Sequence, residues 1–518
     1  MGGAQFESTC KCNFASNYPN AFGPRVGAAY QINSKTVLRA GLGVVYNATA
    51  NASGSQANTS QTSAVPANSG QTVGLLVNGI PATVQPVWPS FDSGVGHPVA
   101  GVIGMPALLD PNAGRPARLL QWSISLQREI NRNLVVEASY VANRGTWWSA
   151  AGLAPLKSIS QATLTKYGFT NYASTEEAAI LTSTIAGLTA ARRSEHASRG
   201  VVLPYSNFPT NQTVRQSLRD YPQYNNSGLS SSPLGNTWYD AFQLNVTQRF
   251  SHGLSANVNY NFSKNLDLIS SPDVFNRSLG RDISGNDLPH QLRITVQYVV
   301  PKLFSNRFVS YALSDWGLGA ALSYQSAPVV ARPTSNGATP ISQFLGRGPG
   351  SAQLKKDSNG NYMNPWSVNW VDDAGKQRTD PLDINCSCFD PTKTVALNTA
   401  AWENIPDGQW GAQQSTLRFY RGIRLPSESA NFSRNFALAK EGRVNLNVRV
   451  EFTNIFNRML LTAGPASALV TAGNFANPAT RFTSGSNAGL YSGGFGTYNV
   501  LGGLLGQRNG TFVARVTF

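Results

Sequence analysis

Over residues 254–262 the chain changes character at every step. Leu254, Ala256, Val258, Tyr260 and Phe262 fall on one side of an extended backbone, and Ser255, Asn257, Asn259 and Asn261 on the other. A period of two marks a strand with unlike faces, and it recurs along the sequence. Leu120, Trp122, Ile124 and Leu126 alternate with Gln121, Ser123, Ser125 and Gln127. Phe242, Leu244 and Val246 alternate with Gln243, Asn245 and Thr247, and Leu292, Ile294, Val296 and Tyr298 with Arg293, Thr295 and Gln297. Val444, Leu446, Val448, Val450 and Phe452 alternate with Asn445, Asn447, Arg449, Glu451 and Thr453. A soluble sandwich shows the same rhythm, so two further features decide. The polar sides are rich in Asn, Gln, Ser, Thr and Arg, as a wet lumen requires. The segments run about ten residues, the length a tilted strand needs to cross a bilayer, whereas sandwich strands are nearer five or six.

The rhythm predicts eleven strands, at 25–32, 36–46, 118–129, 134–142, 238–250, 254–263, 290–300, 314–326, 427–438, 443–454 and 509–518. Short connections alternate with longer ones. The short ones are Asn33-Ser34-Lys35, Asn131-Arg132-Asn133, Ser251-His252-Gly253, a link through Pro301, and Ala439-Lys440-Glu441-Gly442. Several of the others run to roughly seventy residues or more, as extracellular loops of a barrel do. This is the pattern of an up-and-down barrel with periplasmic turns, and it makes the first and last strands both descend. The expected fold is therefore all-β: an antiparallel up-and-down transmembrane β-barrel with long extracellular loops. It is expected to be partial, the C-terminal half of a barrel of about 22 strands.

Composition agrees. Charged residues make up 13% of the 518 residues, about half the share of a soluble globular protein. Gly (48) and aromatics are plentiful and Cys is scarce, which does not suit a helical or doubly wound enzyme. No apolar run reaches the roughly 18 residues of a spanning helix, so entry into a membrane requires a closed barrel that satisfies every backbone group. Residues 1–20 have neither the basic nor the apolar region of a secretory signal. The expectation is that a signal and upstream strands are absent from residues 1–518. The net charge of +15 is spread thinly, with no run longer than Arg192-Arg193 or Lys355-Lys356, which argues against nucleic-acid binding. Among the loops, 174–188 reads as a helix. Ser174 and Glu177 form a capping box, and Ile180, Leu181, Ile185 and Leu188 make its apolar face. Residues 51–69 are low in complexity.

Four segments carry a resemblance to a known family. They are FGPRVGAAYQINSKTVLRAGLGVVY at 22–46, QWSISLQREINRNLVVEASYVANRG at 121–145, YPQYNN at 221–226 with GNTWYDAFQLNVTQRFSHGLSANVNYNFSKNLD at 235–267, and NLNVRVEFTNIFNR at 445–458. Asp287-Leu288-Pro289-His290 before a strand belongs with them. In this order they resemble TonB-dependent receptors of the Oar-like, carboxypeptidase-regulatory-like type. The resemblance implies outer-membrane transport of a bulky nutrient, with no enzymatic chemistry and no cofactor. It also implies a plug domain and a TonB box, both expected to be absent from residues 1–518, so that a TonB complex is reached only through the missing N-terminal part. Phe512, Ala514, Val516 and Phe518 resemble the signal read by the barrel assembly machinery. A standalone smaller barrel or porin, or a secreted all-β adhesin, remain as alternatives.

Chemistry-bearing residues are few. Cys10 and Cys12 form one C-x-C pair and Cys386 and Cys388 another, both in segments the topology puts outside the cell. Disulfides are the favoured reading, with four zinc ligands as the alternative. His97, His196, His252 and His290 lack metal-ligand spacing, and the GRGPG at 346–350 follows no strand-to-helix pattern. Asp372, Asp373, Asp380 and Asp383 could bind calcium but lack EF-hand spacing. Trp122, Tyr140, Trp238, Tyr260, Tyr298, Trp316 and Tyr324 fit interface girdles. Arg39, Arg249, Arg293, Arg449 and Arg515 are expected to face the lumen, where they would favour anionic solutes or pair with plug carboxylates.

Overall fold

The computed structural model describes residues 16–47, 108–110, 112–154, 158–205, 208–222, 229–230, 232–271, 273–301, 309–310, 314–333, 344, 352–386, 388–406, 416–424, 426–438, 444–458, 475–497 and 508–518. One sheet dominates. Numbering only the strands of its wall, they are β1 Arg25–Asn33, β2 Thr36–Tyr46, β3 Arg118–Asn131, β4 Leu134–Ser149, β5 Pro233–Ser251, β6 Leu254–Leu268, β7 His290–Val299, β8 Gly317–Gln325, β9 Ser427–Ala437, β10 Asn445–Thr453 and β11 Asn509–Thr517. Each pairs with the next in sequence, and the pairings are antiparallel throughout. The extra two-residue strand Asp282–Ile283 adds to the upper part of β6.

Register turns the sequence rhythm into two faces. Across seven neighbouring strands Leu38, Leu126, Ala138, Leu244, Tyr260, Leu292 and Tyr324 stand opposite one another in a single row. The adjacent row reads Arg39, Ser125, Ser139, Gln243, Asn261, Gln291 and Gln325. One row is greasy and its neighbour wholly polar, because a step of one residue reverses the side. The greasy face is left bare: Leu126, Phe242 and Phe262 keep 45%, 44% and 47% of their surface exposed. In a sandwich these side chains would be sealed in a core about 10 Å thick. The other sheets among the described residues are two-stranded pieces, so the wall meets hydrocarbon, and the secreted-sandwich alternative does not describe it.

All eleven expected strands are present, but three run longer. β4 continues to Ser149, β5 begins at Pro233 and β6 reaches Leu268. At Asn143-Arg144-Gly145 the apolar alternation ends, because both faces now meet water or headgroups, while the backbone ladder carries on to Ser149. The apolar signal therefore marks the lipid-crossing part of the strand and misses its extension.

The buried core lies in the loops. Trp402, Tyr420, Trp370, Leu397, Ile384 and Phe495 pack together over one part of the molecule. Leu164, Phe169, Ile180, Leu181, Val214 and Phe344 form a second cluster. The second is helical: α1 Gln161–Lys166, α2 Thr175–Thr182, α3 Ala190–Ser198 and α4 Val214–Ser217. Ser174 caps α2 by accepting the Glu177 N–H at 3.1 Å. The helix expected to reach residue 188 stops at Thr182. Ser183 turns extended (ψ 147°), and the Ile185 and Ala186 N–H groups bond Gln212 and Thr210 instead. The expected reciprocal half of the box gives way to an ion pair, Glu177 with Arg199 at 3.2 Å. No helix among the described residues is long and apolar enough to cross a membrane.

Candidate functional site

The face that could act on a solute is the polar one. Its chemistry is mostly carboxamide. Asn257 donates to Asn245 Oδ1 at 3.0 Å and to Thr247 Oγ1 at 2.9 Å. Asn259 bonds Asn257, and Asn447 donates to Asn435 at 2.6 Å. These groups sit on alternate residues of β5, β6, β9 and β10, so the ladders align them in ranks above the backbone. They can donate and accept hydrogen bonds without carrying charge.

Four of the five arginines expected in the lumen share this face by register: Arg39 opposite Ser125, Arg293 opposite Asn259, Arg449 opposite Ser433, and Arg515 opposite Asn447. Arg249 follows Gln248, the last regularly paired residue of β5, and its N–H bonds Asn133 O. They are spread around the wall. Arg39 donates to Gln127 Oε1 at 2.5 Å, and Arg449 lies 3.0 Å from Glu451. The structure thus places single cations on a carboxamide surface and gathers no compact anion pocket from these residues.

The seven aromatics lie on or beside the opposite, apolar face. Trp316 stacks on Phe432 with ring centroids 4.3 Å apart, and Arg434 lies over Phe436 at 4.6 Å. This group is at the end of the short turns, where amphipathic rings mark the membrane interface. Tyr260 shares a 2.8 Å hydrogen bond with His290 Nδ1. Phe512, Ala514 and Val516 stand opposite Val450, Val448 and Leu446, and Phe518 follows the end of β11.

In the loops, Cys386 and Cys388 are joined by a disulfide packed against the Trp402 cluster. Cys10, Cys12, His97, the GRGPG segment and the low-complexity stretch lie outside the described residues. His196 sits in α3, half-buried, and burial pushes its imidazole down from its ordinary value. His252 occupies the turn between β5 and β6 with φ 51°. The loop aspartates serve their own turns. Asp380 takes Arg378 at 3.1 Å, and that bond holds its carboxyl below the usual range. Asp372 accepts the Lys376 N–H, and Asp383 the Asn385 N–H. No cluster of three or more metal-ligating side chains occurs among the described residues.

One contact carried no sequence signal beyond the Asp287-Leu288-Pro289-His290 motif. Asp287, 3% exposed at its side chain, takes the Arg421 guanidinium at 2.6 Å. The same arginine donates to Asp287 O and Ala327 O. It latches three extracellular segments together just above β6, β7 and β8.

No curated protein matches the chain. Among solved structures it is similar to the ferric enterobactin receptor PfeA of Pseudomonas aeruginosa, in a mutant form, at 12% identity and a TM-score of 0.34, over 95% of this chain and 40% of that one. It is similar to the outer membrane transporter YddB of Escherichia coli at 10% identity and TM-score 0.33, over 95% and 40%. The FrpB iron transporter of Neisseria meningitidis gives 10% and 0.31, over 84% and 35%. The chain therefore spans well under half the length of these solved chains. A sequence profile described as "Outer membrane beta barrel domain" matches residues 3–497, which agrees with the two-faced wall and fixes its setting as the bacterial outer membrane. The chain belongs to the outer membrane β-barrel domain family.

Proposed function

We propose that this chain forms part of the wall of a TonB-dependent outer-membrane transporter, of Oar-like type, that imports a bulky nutrient through its lumen. The observation that carries the reading is the register. Rows of bare apolar side chains alternate with rows of Asn, Gln, Ser and Arg across the wall, as the wall of a wet passage through lipid requires. Covalent chemistry has no part in it, and solute recognition falls to the polar face and the packed loops. In this reading the wall is the C-terminal part of a larger barrel, and contact with the TonB complex is made by segments outside this chain. The terminal row Phe512, Ala514, Val516 and Phe518 engages the barrel assembly machinery as an edge awaiting a partner. A simple porin is the other reading of the same wall.

Uptake separates the two. Cells carrying the intact gene are compared with a deletion strain on a panel of labelled siderophores, oligosaccharides and peptides, with and without a protonophore. The transporter reading expects saturable uptake of one solute class, lost when the protonophore is added. Uptake that persists without energy and scales with solute size would establish a porin instead.

A further inference from the structure

The helical part of the loop between β4 and β5 settles most of its charges in pairs. Arg192 takes Glu176 at 2.6 Å, and Arg199 takes Glu195 at 2.6 Å and Glu177 at 3.2 Å. Those three carboxylates are thereby committed. Arg219 stands apart from them. It follows α4, whose Val214 and capping Leu218 go into the buried cluster. Among the described residues its guanidinium makes one hydrogen bond, from Nη1 to the neutral Gln216 Oε1 at 2.7 Å. Gln216 is itself buried and ties the chain back, its Nε2 donating to Pro222 O at 2.8 Å. The Nε of Arg219 is buried without an acceptor. The next residue, Asp220, is exposed and pairs with no cation among the described residues. Arg215, four positions earlier, is a second cation beside Arg219. Burial, with Arg215 as a like-charged neighbour, pushes the Arg219 guanidinium down to about 10, and burial pushes Arg215 down as well. A half-buried cation next to another cation, with only a carboxamide to bond, is costly until an anion completes it.

We propose that Arg219, with Arg215 beside it, binds a phosphate group that comes from outside the chain. The inference concerns the packed loop and goes beyond the reading of the wall, since it holds whichever solute the lumen passes. Side chains four positions apart on a helical turn have Cβ atoms about 5–6 Å apart, so both guanidinium groups can reach one tetrahedral group. Their N–H donors match phosphate oxygens in pairs. Charge selects phosphate over carboxylate. A phosphate monoester carries about −1.5 to −2 near neutral pH, which balances two cations, whereas a single carboxylate leaves one of them unbalanced. Arg219 is only half-buried, so the group is reached from solvent. Inorganic phosphate and a phosphate ester on a larger solute share this chemistry.

The test titrates the intact protein in detergent with inorganic phosphate, with glycerol phosphate and with acetate, by calorimetry in phosphate-free buffer near neutral pH. One equivalent of phosphate or of the ester is expected to bind, and acetate at least roughly tenfold more weakly. Tighter binding of the inorganic ion identifies free phosphate as the ligand, and tighter binding of the ester a phosphorylated solute. Arg219→Gln should weaken binding by roughly tenfold or more, and Arg219→Lys, which keeps the charge but loses the planar fork, by a smaller factor. Arg192→Gln removes an arginine already paired with Glu176 and should leave binding unchanged. A measurement on wild type alone keeps the test usable if the variants do not fold: phosphate should slow proteolysis of the 158–222 region, and acetate should not. Absence of saturable phosphate binding by wild type, equal affinity in Arg219→Gln, an equal loss in Arg192→Gln, or acetate binding as tightly as phosphate would each overturn the proposal.

Discussion

Asp287 accepts the Asn265 N–H at 2.7 Å through one oxygen and the Arg421 guanidinium at 2.6 Å through the other. The pair is nearly dry. Removing the carboxylate in Asp287→Ala takes away the charged partner that Arg421 holds at 2.6 Å, and breaking a buried pair in this way costs about 3–5 kcal/mol. The wall does not share that cost, because its strands are tied by their own ladders. Limited proteolysis of the intact protein should therefore cut the 352–424 region much faster in the variant, while heat-modifiable mobility stays at the wild-type value; an unchanged cleavage rate would show that the latch holds nothing. A second residue is fixed by backbone alone. Gly253 has φ 83°, and a Cβ there would meet Val299 O at 2.3 Å. Gly253→Ala should destabilise the β5–β6 turn by more than about 1 kcal/mol, seen as a lower urea midpoint for unfolding in detergent. The sequence marked both places, one as a motif before a strand and one as a short turn. It could not show Arg421, whose link to Asp287 spans 134 positions and depends on how two loops fold over the wall.

The strands were legible because lipid imposes a stricter rule than a soluble core does: every second residue must be apolar for the whole crossing. The loops were not, since their cores are built from scattered residues such as Phe344 against Phe169 and Tyr172. Helix α2 shows the boundary. Its cap was readable at Ser174, but Ile185 and Leu188 are apolar for packing against a neighbouring segment, and helical periodicity mistook that for more helix. For the strands, the assignment of faces has a sharp consequence. Leu126 and Ser139 lie at similar depth on neighbouring strands, on opposite sides. Leu126→Arg puts a cation into hydrocarbon and should cost about 2–4 kcal/mol. Ser139→Arg puts it into the lumen and should cost little. Unfolding midpoints in lipid vesicles measure both, and a similar penalty for the two would refute the assignment. Among the loops, Asp390 gives a pH dependence. Burial raises its carboxyl, but bonds from the Thr392 hydroxyl and N–H, with Lys393, outweigh that and hold it below the ordinary value. A depressed carboxyl stabilises the fold above its unfolded value and loses that contribution as pH falls through the folded one. Protease protection around residue 390 should therefore hold at neutral pH and fade on acidification below the usual carboxylate range.

At the scale of the molecule, the wall itself constrains strand direction. Eleven strands, each antiparallel to the next, leave β1 and β11 running the same way, and each has a single neighbour among the described residues. A seam between them would be parallel, so closure with antiparallel seams on both edges needs an odd number of further strands that start and finish ascending. That requirement fits a wall continued by a segment of opposite sense and excludes a second, equally oriented copy. It also fixes which loops share a rim. The turn at residues 131–133 joins β3 to β4, and the packed region containing Gly360 joins β8 to β9. Because the second connection comes five strands after the first, an odd number, the short turn lies at one rim and the packed loop at the opposite rim. An epitope inserted after Gly360, in an open turn at φ 82° with nothing near its Cβ, should bind antibody on intact cells. The same epitope after Arg132, exposed in its short turn, should bind only once the outer membrane is permeabilised. Labelling of both sites on intact cells would mean the wall does not span the membrane, and the reverse pattern would invert the assignment of every loop.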